Sequence, residues 1–164
     1  MVIWKCPPVG CLKLNIDGAF VKETGAGGVG LVLRDSFGQF LLGKGKSMFG
    51  LLSAEHAELL ACKEAFLLIV EYSLQPVIVE TDALTVEQQL TGMGNNLSLL
   101  GRIYDDLGFL LKEMPNVCLV HTRREANKAT HLMAAQASST GLTFLCSEVS
   151  SFLASVITSE SCNQ

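Results

Sequence analysis

Long apolar runs are missing from this chain of 164 residues. None reaches the roughly 20 residues that a membrane-spanning helix needs, so we expect no membrane partner. The first residues also lack the charged region and long apolar stretch of a secretory signal. We therefore predict an intracellular protein, and the sequence does not distinguish nucleus from cytoplasm.

Paired cysteines are missing as well, because the six cysteines form no C-x-x-C motif. We expect neither a zinc site nor a disulfide framework from this spacing. Cys62 and Cys118 lie in apolar segments and are predicted to be buried thiols. Scattered thiols are typical of a reducing intracellular compartment.

The chain also lacks an excess of basic residues, because its formal net charge is −4. Strong non-specific binding of nucleic acid normally needs a basic face. Any nucleic-acid site must therefore be local and assisted by a metal ion. About half of the residues are apolar (49%), which indicates one globular domain with a sizeable core.

The hydropathy pattern predicts three strands followed by alternating helices and strands. Leu12, Leu14 and Ile16 share one face of the first strand, and a loop of glycines at 25–30 precedes the second. The predicted strands cover 12–17, 29–34, 39–44, 77–81 and 117–121, and the predicted helices 54–72, 83–90, 98–113 and 126–140. The later strands should pair in parallel, and the tail 139–164 has no firm assignment.

Three acidic residues lie where an ionised side chain needs a partner. Asp17 and Asp82 each end a predicted strand, and Glu58 faces the sheet side of the first helix. The solvent side of that helix is marked by His56, Lys63, Glu64 and Glu71. Buried carboxylates are costly to desolvate and repel one another, and a divalent cation relieves both penalties. The three acids therefore predict a metal site.

Each acid also has a structural interpretation. Asp17 suits a turn before Gly18, and Asp82 suits the N-cap of the following helix. Glu58 suits an ordinary hydrogen-bonded acid near a helix start, and Glu55 is its rival as the functional acid. The case for a site depends on the combination.

Several short segments of the sequence together resemble one family. These are Trp4, Pro7-Pro8, residues 12–19 (LKLNIDGA), 25–30 (GAGGVG), 33–35 (LRD) and 124–127 (REAN). They are similar to the plant ribonuclease-H-like domain, which occurs at the end of non-LTR retroelement reverse transcriptases and as stand-alone proteins. The resemblance covers about residues 4–138 and leaves the tail 139–164 outside the domain.

The resemblance implies an α/β ribonuclease H-like fold, with a mixed five-stranded sheet of order 3-2-1-4-5 flanked by helices. It implies that Asp17, Glu58 and Asp82 bind a pair of Mg²⁺ ions, one activating a water and the other stabilising the leaving oxygen. The implied reaction is endonucleolytic hydrolysis of the RNA strand of an RNA–DNA hybrid, which leaves a 3′-hydroxyl and a 5′-phosphate.

The resemblance also assigns residues around the acids. His121 matches a histidine that helps water attack or product release, a role that suits a group titrating near neutral pH. Gly18 and Asn127 match positions that contact nucleic acid, and Arg123, Arg124 and Lys128 form a small basic patch suited to phosphates.

One position departs from the classical pattern. His131 stands where classical ribonucleases H carry a fourth aspartate. Because hard cations prefer oxygen ligands, this change favours Mn²⁺ as an alternative to Mg²⁺, or a proton-carrying role for His131. The chain also lacks a basic helical protrusion of the kind that grips a hybrid.

Two other functions stay open at this point. One is a catalytically weak or inactive nucleic-acid-binding module. The other is a scaffold whose acids are left over from an ancestral nuclease. A DnaQ-type exonuclease fits less well, because the first strand has Asp17-Gly18-Ala19 in place of Asp-x-Glu. No obligate protein partner is evident.

Overall fold

A six-stranded mixed sheet organises the chain in the computed structural model, which describes residues 2–74, 76–92 and 95–160. The strands are β1 (Leu12–Val21), β2 (Ala26–Arg34), β3 (Phe40–Met48), β4 (Val77–Thr81), β5 (Val117–His121) and β6 (Phe144–Cys146). The helices are α1 (Ala54–Tyr72), α2 (Leu84–Thr91), α3 (Gly101–Lys112), α4 (Lys128–Thr140) and α5 (Ala154–Ser159).

The strand order is β5-β4-β1-β2-β3-β6. The strands β1, β2 and β3 form an antiparallel meander, and β4 and β5 extend the sheet in parallel from β1. This is the predicted order 3-2-1-4-5, so that prediction is confirmed. The addition is β6, which pairs antiparallel with the far edge of β3 and comes from the tail that had no assignment.

Residues 26–28 of the glycine-rich segment were wrongly predicted as a loop, because β2 begins at Ala26 and not at Val29. A Cβ atom on Gly28 would lie 2.5 Å from the carbonyl oxygen of Ala134, and one on Gly30 would lie 2.3 Å from that of Thr130. The glycines therefore let the backbone of α4 pack directly on the sheet. Their sequence resembles a loop because glycine usually interrupts a strand.

Helix boundaries follow the prediction for α1 and differ elsewhere. Ser53 caps α1 by accepting a hydrogen bond from the His56 amide, as predicted. The helix α4 begins two residues later than expected because 124–126 form a 3₁₀ turn, and α3 begins only at Gly101. The predicted loop at 92–96 includes residues 93 and 94, which lie outside the described residues.

The main core lies between α1 and the sheet. Leu14 and Ile16 are fully buried there, on the face predicted for them, and pack against Phe66 and Leu59 of α1. The opposite face of β1 carries Lys13, Asn15 and Asp17, and α4 packs on that side. One strand therefore separates an apolar layer from a layer that holds buried polar side chains.

Both ends of the described chain pack against this polar layer. The ring of Trp4 is buried beneath the Arg34 guanidinium, which lies 3.7 Å from the ring centroid. Arg34 Nη1 also donates to Glu160 Oε2 at 2.8 Å, although neither residue is exposed by more than 6%. The residue after α5 thus forms a buried ion pair with the last residue of β2.

The structure differs from the predictions for two cysteines and one glutamate. Cys62 is buried as predicted, but Cys118 is exposed because its side chain points away from the core face of β5. Cys6 is disulfide-bonded, which spacing could not predict because pairing depends on how the fold brings segments together. Glu64, predicted on the solvent side of α1, is only 4% exposed and contacts two lysines of β3.

No helix within the described ranges has the length and apolar composition needed to cross a membrane.

Candidate functional site

Three carboxylates from three different elements meet at one end of the sheet. Asp17 lies on β1, Asp82 directly follows β4, and Glu58 lies in the second turn of α1. One oxygen from each lies within 4.8 Å of the others. The parallel pairing of β1 with β4, in which Ile16 is opposite Thr81, brings the two aspartates side by side.

Gly18 allows Glu58 to enter this cluster. A Cβ atom at Gly18 would lie 2.5 Å from the backbone carbon of Ala57, so any other residue would push α1 away from β1. The Gly18 amide donates to Glu58 Oε2 at 3.1 Å and to Asp17 Oδ1 at 3.0 Å. Gly18 therefore supports the cluster structurally, and its predicted contact with nucleic acid stays a prediction.

The electrostatics of the cluster are unfavourable for the protein alone. Burial raises the pKa of Glu58 to about 10, with further contributions from the charge of Asp17, a hydrogen bond to Asp17 and the charge of Asp82. Burial and the charge of Asp17 also raise the pKa of Asp82, and a backbone hydrogen bond, Arg124 and His131 oppose this only in part. A proton on Glu58 relieves the repulsion, and a cation with a preference for oxygen would relieve it as well.

The structural alternative for Asp82 does not apply. The residue before α2 is Ala83, and its amide donates to Thr81 Oγ1 at 3.1 Å. No side chain within the described residues caps α2. Asp82 is therefore free to face the other two acids.

His131 lies in the first turn of α4 and contacts the cluster from the opposite side of the sheet. Its Nδ1 is 2.9 Å from Asp17 Oδ2, and its side chain is 46% exposed. The close packing of α4 on Gly28 and Gly30 brings the imidazole this near. His131 thus orients Asp17 in this structure and keeps its other face toward solvent.

Asn127 is buried, although the resemblance assigns it a contact with nucleic acid. Its Nδ2 donates to the carbonyl oxygen of Ile16 at 2.8 Å, and its Oδ1 accepts from Asn15 Nδ2 at 3.1 Å. Asn127 therefore ties the start of α4 to the residue before Asp17. This geometry gives Asn127 a structural role. It does not support the predicted contact between Asn127 and nucleic acid, which stays a prediction.

Asn15 and Trp4 belong to the same network, and sequence reasoning gave neither a role. Trp4 Nε1 donates to Asn15 Oδ1 at 2.8 Å, and Asn15 Nδ2 also donates to Glu80 Oε2 at 3.0 Å. The available signal was the alternation of β1, which places Asn15 on the same face as Asp17. The partners of Asn15 come from segments distant in the sequence, so that signal could not identify them.

The remaining predicted residues surround the cluster on the surface. His121 ends β5 opposite Thr81, and the Thr122 amide donates to the Thr81 carbonyl oxygen at 2.8 Å. Arg124 and Lys128 line a groove of about 380 Å³ beside His131. Arg123 lines a separate groove, together with His121, so the predicted basic patch is divided between two depressions.

Comparison with known proteins agrees with this architecture. A family model described as reverse transcriptase-like matches residues 15–137. A candidate ribonuclease H protein of Arabidopsis thaliana is 35% identical over 147 residues, which are 88% of this chain and 23% of the relative. The chain therefore spans about a quarter of the length of that relative.

Solved structures show the same fold. LC11-RNase H1, isolated from compost, superposes with a TM-score of 0.72 at 19% identity, over 81% of this chain and 99% of that one. The structure of LC11-RNase H1 in complex with an RNA/DNA hybrid gives 0.70 at 20% identity, over 79% and 98%. The chain has the ribonuclease H fold, and the match of the family model over most of its length shows that it belongs to the reverse transcriptase-like family.

Proposed function

We propose that this protein is a metal-dependent endonuclease that hydrolyses the RNA strand of RNA–DNA hybrids. The observation that carries the proposal is the convergence of Asp17, Glu58 and Asp82 within 4.8 Å, with raised pKa values at Glu58 and Asp82. Acids in a purely structural cluster would be paired with cationic side chains. The hybrid bound to LC11-RNase H1 supports the choice of substrate.

The three carboxylates suit Mg²⁺, because all the donors are oxygens and their mutual repulsion falls when a cation binds. We propose that they hold the pair of ions that the family resemblance implies, with Mn²⁺ as the alternative. Bound ions would supply Lewis-acid stabilisation of phosphate oxygens and a more acidic water. Glu58 must lose its proton for this site to form.

The neighbouring side chains have distinct roles in this proposal. His131 orients Asp17 through the 2.9 Å contact between Nδ1 and Oδ2, and its exposed face is available to carry a proton. His121 is exposed at the end of β5 and is placed to transfer a proton to or from the reacting strand. Arg124 and Lys128 attract phosphates into the groove beside His131.

The second candidate is a nucleic-acid-binding module without efficient catalysis. His131 favours it, because a fourth carboxylate is absent at that position and Asp17 Oδ2 is occupied by the imidazole. Either function is compatible with a retroelement origin, which we propose from the reverse transcriptase-like family.

The test is cleavage of an end-labelled RNA–DNA hybrid in Mg²⁺ and, separately, in Mn²⁺. We expect Asp17→Asn to reduce cleavage by about 10²–10³-fold or more, because it removes a carboxylate from the centre of the cluster. Asp106→Asn, an exposed aspartate on α3, is the matched control and should cleave normally. Retained cleavage by Asp17→Asn would show that the proposed site is wrong.

Absence of cleavage by the folded wild-type protein with both ions would select the binding module. Hybrid binding measured by fluorescence anisotropy would then separate that module from a scaffold, which should not bind.

A further inference from the structure

Residues 4 and 5 are anchored to β1 and form part of one side of a groove. Trp4 is 3% exposed, held by its hydrogen bond to Asn15 and by the Arg34 guanidinium above its ring. The carbonyl oxygen of the next residue, Lys5, accepts a hydrogen bond from Lys13 Nζ at 2.7 Å. The backbone at 4–5 is therefore anchored to β1, while the side chain of Lys5 remains exposed.

The groove has a volume of about 590 Å³ and lies between the N-terminal segment and the segment that follows β5. Val2, Ile3 and Lys5 line one side, and His121, Thr122 and Arg123 line the other. It is too small for a double helix, whose major groove alone is about 12 Å wide. One extended strand fits a depression of this kind better.

The charge of the groove comes from Lys5 and Arg123. Lys13 also lines it, but its ammonium pairs with Glu80 Oε1 at 2.7 Å, so these two charges cancel. Neither Lys5 nor Arg123 forms an ion pair with any described residue, and both are exposed. The groove thus presents two unpaired cations in a protein whose net charge is negative.

The position of the groove connects it to the carboxylates. His121 lines it and pairs with Thr81, the residue immediately before Asp82. The groove therefore lies at the same end of β4 and β5 as Asp82. Among the described residues that line the groove there is no Phe, Tyr or Trp, and the imidazole of His121 alone is too small to form a stacking platform for successive bases.

We propose that this groove binds the phosphate backbone of one nucleic-acid strand where that strand leaves the duplex, with Lys5 and Arg123 contacting its phosphates. The proposal rests on the proposed function and deepens it, because it assigns a single-stranded path next to the site. Binding there is independent of base sequence, since the contacts are to phosphates.

The experiment measures binding in the Asp17→Asn background, so that the result does not depend on cleavage. Two fluorescein-labelled hybrids of equal duplex length are compared by anisotropy, one blunt and one with a single-stranded RNA extension. The test variant carries Lys5→Gln and Arg123→Gln. The control carries Lys63→Gln and Arg102→Gln, which change the net charge equally at exposed positions on α1 and α3.

We expect the test variant to bind the extended hybrid about tenfold more weakly than the control variant, with little difference for the blunt hybrid. The salt dependence should fall by about 1.4 in the slope of log K against log salt, because each lost contact to a single strand contributes roughly 0.7. Thermal melting should show equal stability for both variants, since all four side chains are exposed.

Equal affinities of the test and control variants for the extended hybrid would overturn the proposal. A loss of the same size on the blunt hybrid would also overturn it, because it would place the contacts on the duplex. Neither result would bear on the nuclease, whose own test is cleavage by the wild-type protein.

Discussion

Glu58 and Glu64 lie less than two turns apart on the same helix and are in opposite environments. Glu64 is 4% exposed and accepts hydrogen bonds from Lys44 Nζ at 3.0 Å and Lys46 Nζ at 2.5 Å. Burial raises the pKa of Glu64, but the lysines more than compensate and lower it. Around Glu58 the neighbours are acids, and they add to the effect of burial.

The difference shows how a structural acid is distinguished from a site acid. Both carboxylates lose water on folding, so burial alone does not separate them. Glu64 is neutralised by side chains of its own chain, whereas Glu58 shares a hydrogen bond with another acid. A buried acid whose neighbours raise its pKa is therefore a candidate site residue, because its own chain does not supply the neutralising charge.

The largest expected effect comes from a buried acid whose cation is also buried. Glu160→Gln leaves the Arg34 guanidinium buried without a counter-ion, and we expect a loss of about 3 kcal/mol of unfolding free energy. Two other nitrogens of Arg34, Nε and Nη2, already lack a partner among the described residues. Urea unfolding checks this, with the exposed Glu148→Gln as the control.

Substitution of Glu58 and substitution of Glu64 should change stability in opposite directions. In a chelator at pH 8, Glu64→Gln should destabilise the protein by about 1–2 kcal/mol, because it removes charge-assisted hydrogen bonds to two lysines. Glu58→Gln should stabilise it by about 1 kcal/mol, because glutamine is neutral at this pH, whereas Glu58 has to take up a proton when the protein folds. Differential scanning calorimetry measures both, and a loss of stability in both variants would contradict the comparison.

The gain from Glu58→Gln should depend on pH. The pKa of Glu58 is raised in the folded state, so the folded protein binds more protons than the unfolded chain at pH values above about 4.5. Wild-type stability in a chelator should therefore fall as pH rises, by less than about 1.4 kcal/mol per pH unit. The advantage of the variant should be small near pH 5 and grow toward pH 8, as followed by urea unfolding at each pH.

The smallest effect should come from the metal ion. At 2 mM Mg²⁺ and a dissociation constant of the order of 1 mM, we expect wild-type stability at pH 8 to increase by about 0.6 kcal/mol. Glu58→Gln should lose most of this increase, and Glu64→Gln should retain it. Thermal shift measurements with and without Mg²⁺ test this, and an equal shift in all three proteins would place the ion elsewhere.

The sequence was sufficient for the parts of the fold that depend on local pattern. The alternation in 12–17 predicts which face of β1 meets α1, and the succession of helices and short strands predicts the parallel half of the sheet. The positions of Asp17, Asp82 and Glu58 on their elements followed from the same patterns. Their convergence within 4.8 Å depends on the strand order, which the resemblance supplied.

The remaining features depend on contacts between distant segments. Nothing near Glu64 in the sequence shows that two lysines of β3 will meet it, and nothing near Asn127 shows its bonds to Asn15 and Ile16. The assignment of the glycines of β2 to a loop was wrong for the same reason, since Gly28 and Gly30 are required by the packing of α4 and Gly27 by the closeness of Ala19 on β1. Such pairings are properties of the folded state, which local periodicity does not encode.

Arg34 shows that the folding domain is longer than the segment matched by the family model. The family match spans 15–137, yet Trp4 and Glu160, which cover the guanidinium of Arg34, lie on either side of it. A fragment cut at the boundaries of recognisable similarity would leave that charge uncovered inside the sheet. The segments outside the match are therefore part of the same cooperative unit, and their sequences should vary together with residue 34.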